Sequence, residues 1–140
     1  DFVFTSCPNV CPKLTRRMAE IQAETRDLGD ALRLVTITVD PENDTPERLA
    51  AYAREYNADP ARWTFLTGSL DQIEPTVLQG FKQAMGKRET APGLFSIFHG
   101  ERLVLVDAEG VIRGYYEASD EGIGALLRDA RALIKARQAR

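Results

Sequence analysis

The stretch "DFVFTSCPNVCPKLTRRMAEI", from Asp1 to Ile21, runs from an apolar aromatic segment through two cysteines, Cys7 and Cys11, into a helical pattern. Phe2, Val3 and Phe4 predict a short buried strand. Leu14, Met18, Ile21, Thr25 and Leu28 then keep helical spacing along one face, and Gly29 is placed to stop that helix. A strand that passes directly into a helix, with both thiols at the junction, is the start of a strand–helix–strand unit.

"ALRLVTITVD", residues 31–40, is nearly continuous and β-branched, as expected of a central strand covered on both faces. "PENDTPERLAAYAREYN" follows, with Thr45 as predicted N-cap and Pro46 as first helical residue, where its missing N–H costs nothing. Leu49, Tyr52, Ala53 and Tyr56 are the inner face of that helix. "RWTFLTG", residues 62–68, predicts a third strand. Ser69 and Gln72 have capping-box spacing for a third helix whose apolar side is Val77, Leu78, Phe81 and Met85, with a restart or kink at Pro75. "GKRETAPGLFSIFHG", residues 86–100, is predicted to be a loop ending in a short apolar run. Two β-rich runs, 101–106 and 111–116, flank Asp107-Ala108-Glu109-Gly110 and predict a hairpin. A last helix from about Glu121 presents Ile123, Leu126, Leu127, Ala130, Leu133 and Ile134 on one face.

Strand–helix–strand–helix–strand–helix–hairpin–helix implies parallel pairing through right-handed crossovers, with antiparallel strands added by the hairpin. The expected fold is an α/β thioredoxin-like sandwich (a peroxiredoxin-like variant), with a mixed central sheet flanked by helices. One domain spanning residues 1–140 is expected, since there is no linker, repeat or low-complexity tract. Such a fold puts the end of the first strand and the start of the next helix at the functional edge of the sheet.

Composition narrows the function. Hydrophobic residues at 44% and charged residues at 28% describe an ordinary globular domain, and a net charge of -3 gives no support for a nucleic-acid partner. Arg128, Arg131, Lys135, Arg137 and Arg140 fall at the end of the last helix, where cations suit the helix dipole and water. No run of about 18 apolar residues exists. The chain opens at Asp1 already inside an apolar run, so an upstream segment, with any targeting or anchoring signal, is expected. Two cysteines and one histidine exclude a disulfide-rich scaffold and a four-ligand Cys/His zinc finger.

With Cys7 ahead of the helix and Cys11 in its first turn, a rise of ~6 Å brings the second thiol back to nearly the same face. That separation lies in the upper part of the ~4.4–6.8 Å range a disulfide permits. The pair can close as a disulfide, or stay open with both sulfurs converging on one point. A helix N-terminus favours thiolate, the form that attacks disulfides and binds soft metals. A purely structural staple would close too short a loop to remove much chain entropy. Two inert buried thiols remain as the plain alternative. His99 ends "LFSIFH", and the expected topology brings the loop before the hairpin beside the start of the first helix. Two thiolates and an imidazole make a donor set suited to copper, and acceptable to zinc with a fourth ligand. A lone histidine is otherwise a surface or hydrogen-bonded core residue.

Three blocks carry a family resemblance across essentially the whole chain: "FTSCPNVCP", "TVDPENDTPERL", and His99 followed by "LVDAEG". In that order the sequence resembles the SCO/SenC copper-binding proteins involved in assembling cytochrome c oxidase. The resemblance implies that Cys7, Cys11 and His99 bind one copper ion, as Cu(I) or Cu(II), with Asp40 beside them outside the ligand set. Asp40 read by itself is equally a loop or helix-entry residue. Asp44 and Thr45 are expected to shape the turn and cap the helix. The pattern departs from the family at Phe98 and Gly100, where many members carry Asp and Ser or Thr around the histidine.

The resemblance further implies an upstream hairpin and a single membrane anchor, with the domain on the periplasmic face of the bacterial inner membrane. Expected partners are the copper-bearing subunit of cytochrome c oxidase and other copper chaperones or thiol reductants, with no nucleic acid. Metal delivery, rather than enzymatic activity, is the leading expectation. The alternative is a thiol–disulfide reductase in which Cys7 and Cys11 are catalytic and act on the oxidase's cysteines. A peroxidase of related fold is a poorer third, because no peroxide pocket is evident.

Overall fold

The computed structural model describes residues 1–6, 10–91, 94–99 and 101–140, the side chains of 10, 11, 87–91 and 94–99 excepted. Strand β1 (Phe2–Val3) leads toward helix α1 (Val10–Glu24), and short 3-10 turns over Arg26–Ala31 follow. Thr25 closes α1 by donating its hydroxyl to the Ile21 carbonyl at 2.6 Å. Gly29 breaks the 3-10 segment with φ of 51°, so the stop expected there comes one short helix later than the end of α1. Strand β2 (Leu34–Thr38), helix α2 (Pro46–Glu55) and strand β3 (Trp63–Leu66) complete a parallel sheet in the order β1-β2-β3. The register sets Phe2 beside Ile37 and Val3 beside Thr38.

The caps are as expected. Thr45 accepts from the Arg48 amide and Pro46 opens α2. Ser69 and Gln72 form a reciprocal capping box at helix α3 (Leu70–Pro75). At Pro75, which supplies no amide hydrogen, the winding changes to a π turn over Thr76–Gly80. That change rotates the expected apolar face. Val77 is fully buried, whereas Leu78 is 40% exposed, and Met85 leaves the helix altogether.

Met85 instead begins strand β4 (Met85–Ala91), which pairs antiparallel with β5 (Leu94–His99). The expected loop over 86–100 is therefore wrong: it is largely a hairpin. Its first strand, "MGKRETA", has no apolar alternation and carries no periodic strand signal. Main-chain pairing makes it a strand. The predicted second hairpin is present as β6 (Arg102–Val106) and β7 (Ile112–Glu117), with Gly110 at φ of 83° closing the turn. Helix α4 (Asp120–Gln138), capped by Ser119, ends the chain. Among the described residues the parallel sheet and the two hairpins are three separate ladders.

Two buried clusters fill the fold. Leu14, Met18 and Ile21 of α1 meet Leu34, Trp63, Leu103 and the α4 residues Ile123 and Leu126. Phe2, Val3, Phe4 and Val39 meet Tyr52 of α2, Ile73, Val77 and Met85. Strand β2 is central yet not covered throughout, contrary to expectation. Val35 is 40% exposed and faces an apolar groove of about 470 Å³ shared with Leu66 and Val106. The basic end of α4 is solvated, with exposed ion pairs of Arg131 to Asp27 at 2.8 Å and of Arg140 to Glu109 at 4.0 Å.

Two tests follow from this packing. A Cβ at Gly122 would collide with the Glu117 carbonyl oxygen at the start of α4. Gly122→Ala is expected to lose about 1–3 kcal/mol, as overpacking does, lowering the calorimetric Tm by several degrees. The β6–β7 turn offers a pH test. The Val111 amide, with the Arg113 guanidinium and the Glu109 amide, holds the Asp107 carboxyl below its ordinary range against the opposing effect of burial. A depressed folded-state pKa contributes stability that is present above the ordinary carboxylate pKa of about 4 and lost as pH falls below it through the lowered one. Asp107→Asn should be less stable than wild type at pH 7, with the gap closing over that acid range in CD-monitored unfolding.

Candidate metal and thiol site

Parallel pairing of β1 with β2 delivers both strand ends to one edge of the sheet. Val39 N–H donates to the Val3 carbonyl at 2.9 Å, so Phe4-Thr5-Ser6 leaves β1 alongside Val39-Asp40 leaving β2. Cys7 lies outside the described residues. Cys11 is the second residue of α1, as expected, and its side chain lies outside the described part. No acidic residue stands in the first turn of α1 to oppose a thiolate there. His99 is the last residue of β5, its main chain in register with Met85, and its side chain also lies outside the described part.

The scaffold nevertheless links these positions. Phe4 (three residues before Cys7), Val39 (just before Asp40) and Met85 (opposite His99) belong to one buried cluster. The segment entering Cys7, the end of β2 and the strand opposite His99 thus share one core, while α1, which carries Cys11, packs in the other cluster through Leu14, Met18 and Ile21.

Asp40 is 2% exposed and accepts from the Asn43 side-chain amide at 2.9 and 3.2 Å. Its own amide donates to the Thr38 hydroxyl at 3.0 Å, and its carbonyl accepts from the amides of Asn43 and Asp44. The turn role weighed for Asp40 in the sequence is therefore real.

Asp44 is the residue the sequence reading placed too modestly. It is fully buried, and its carboxylate accepts from the Thr38 hydroxyl at 2.6 Å, the Thr5 amide at 3.1 Å and the Thr5 hydroxyl. Those donors are neutral. A buried carboxylate is tolerable only with such bonds, since hydrogen bonds to a charged group contribute about 1.5–3 kcal/mol each and an unmet one leaves a desolvated charge. A signal for this was present: Thr5 and Thr38 put hydroxyls into otherwise apolar strand segments, which calls for a buried acceptor.

The chain belongs to the SCO1/SenC family, whose model matches residues 1–135. It is 31% identical over 134 residues to the SCO1 protein homolog of Bacillus subtilis, covering 94% of this chain and 68% of that protein. A second relative, from Stutzerimonas stutzeri, is 35% identical over 125 residues, and the chain spans only 56% of its length. Among solved structures, a SCO1/SenC family lipoprotein from Bacillus anthracis superposes with a TM-score of 0.83 at 30% identity, over 95% of this chain and 78% of that one. BsSco, described as a member of the Sco family of cytochrome c oxidase assembly proteins with a disulfide switch, gives 0.76 at 28% identity, over 96% and 77%. Arabidopsis thaliana ScoI, solved with copper bound, gives 0.72 at 25% identity, over 99% and 82%. The expected thioredoxin-like α/β fold is thereby established. Among the described residues, no helix is long and apolar enough to cross a membrane.

Thr38 serves two buried groups at once, so Thr38→Val removes a donor from Asp44 and an acceptor from the Asp40 amide. The expected cost is about 1–3 kcal/mol. It should appear as a lower urea midpoint with unchanged slope.

Proposed function

We propose that this chain binds one copper ion through Cys7, Cys11 and His99 and hands it to the dinuclear copper site of cytochrome c oxidase. The observation that carries this reading is the buried cluster joining Phe4, Val39 and Met85, which ties the approach to Cys7 to Asp40 and to the strand paired with His99. Family membership, and the copper held by the Arabidopsis protein, support the choice of metal.

The chemistry follows from the donor types. The amides and dipole at the start of α1 favour thiolate, the form that binds Cu(I), and whatever thiol remains at Cys7 or Cys11 loses its proton to solvent on binding. His99 adds a nitrogen donor, which also makes Cu(II) acceptable. Delivery is ligand exchange: acceptor thiolates replace Cys7 and Cys11 one at a time, with no net electron transfer. Closing the two thiols into a disulfide withdraws two electrons and removes two ligands, so loading depends on redox state. The setting proposed is the periplasmic face of the inner membrane, with anchoring supplied outside this chain. The lipoprotein character of the Bacillus anthracis relative supports it.

The disulfide switch named for BsSco favours a second reading, a thiol–disulfide reductase. There one thiolate attacks a target disulfide, the second resolves the mixed disulfide, and the target leaves with two thiols while Cys7 and Cys11 end oxidised. Copper titration of the reduced protein, with spectroscopy of the Cu(II) form, separates the two. His99→Ala should weaken copper binding by about 100-fold or more, beyond the ~10–100-fold that loss of an outer partner costs. It should leave disulfide exchange intact, whereas Cys7→Ser or Cys11→Ser should abolish both. Reduced wild type that binds no copper, or His99→Ala that binds it unchanged, sinks the metal-delivery reading.

A further inference from the structure

Asp44 sits in a turn that does not need its side chain. The turn is closed by main-chain bonds from the Asn43 and Asp44 amides to the Asp40 carbonyl, and the cap of α2 is Thr45. The carboxylate points elsewhere, to Thr38 at the end of β2 and to both the amide and the hydroxyl of Thr5. Thr5 is two residues before Cys7. On the far side of the cysteine segment, Thr15 stands one helical turn after Cys11, fully buried, its hydroxyl 2.8 Å from that of Tyr52 on α2. The entry to the segment and its exit are therefore both fastened to one stretch of chain, residues 44–52.

We propose that this stretch is a frame for the cysteine segment, and that Asp44 is the positioning residue that fixes where the chain enters it. The proposal rests on the reading of Cys7 and Cys11 as metal-binding thiols, and adds to it a residue that touches no metal. Asp44 acts through Thr5. Its two oxygens hold both donor groups of that residue, leaving the backbone just before Cys7 little freedom to turn. A site that must both grip a metal ion and close as a disulfide requires the two thiols at a set spacing, and Asp44 and Tyr52 hold the two ends that define it.

The test compares Asp44→Ala and Asp44→Asn with Leu105→Ala, which empties a buried site on β6, outside residues 44–52. Copper affinity, the absorption of the Cu(II) form and amide hydrogen exchange are measured on the whole chain. Asp44→Ala is expected to weaken copper binding by about 10-fold or more, as outer partners of metal ligands do. It should also alter the Cu(II) spectrum and speed exchange at the Thr5 and Cys7 amides beyond the change in global stability. Asp44→Asn, keeping one acceptor oxygen, should fall between. Leu105→Ala should lose stability with none of these changes.

If wild type binds copper and Asp44→Ala behaves like Leu105→Ala, the positioning role is overturned and the copper reading stands. If wild type binds no copper, that reading fails by itself, and amide exchange alone decides this one: unchanged exchange at Thr5 and Cys7 overturns it. Should Asp44→Ala not fold, Thr5→Val, which loses one hydroxyl, decides the same question. Thr5→Ser should restore wild-type behaviour.

Discussion

The parallel pairing of β1 with β2 is the constraint from which the site follows. Only two residues of β1 are in the ladder, yet their register, Phe2 with Ile37 and Val3 with Thr38, aligns the two strand ends. In an antiparallel pair the chain leaving β1 would depart at the opposite edge from Asp40. Because the pair is parallel, Thr5 and the Asp40–Asp44 turn emerge together, and a carboxylate on the turn can reach an amide 39 residues away in sequence. The α1 crossover required by parallel strands is the same element that carries Cys11.

Much of this was legible because the elements obey local rules. The Thr45-Pro46 start of α2, the Ser69–Gln72 capping box and the Asp107–Gly110 turn are set by side-chain groups acting within a few residues, and all three are in place. What escaped the sequence was decided over longer distances. The strand from Met85 to Ala91 is held by its partner rather than by its own apolar pattern, so periodicity could not reveal it. The break at Pro75 is as expected, but the π turn that follows it turns Leu78 outward, off the face that helical spacing assigns it. Val35 follows a third logic, since whether both faces of β2 are covered depends on how the separate β6–β7 ladder packs. Of the candidate site, residue types and order were readable, and the supporting network was not. Thr5, Thr38 and Asp44 are short polar residues whose roles depend on meeting each other.

The choice of neutral donors for Asp44 bears on function as well as stability. An arginine or lysine would satisfy a buried carboxylate with a stronger, charge-assisted bond. It would also bring a flexible cationic side chain to the entry of a segment read as binding a metal cation, and would leave a buried charge whenever the pair opened. Two threonine hydroxyls and an amide do the same fastening with groups that carry no net charge and belong to the strands being joined. The fastening therefore runs through one residue that belongs to the turn after β2 and not to the cysteine segment it holds.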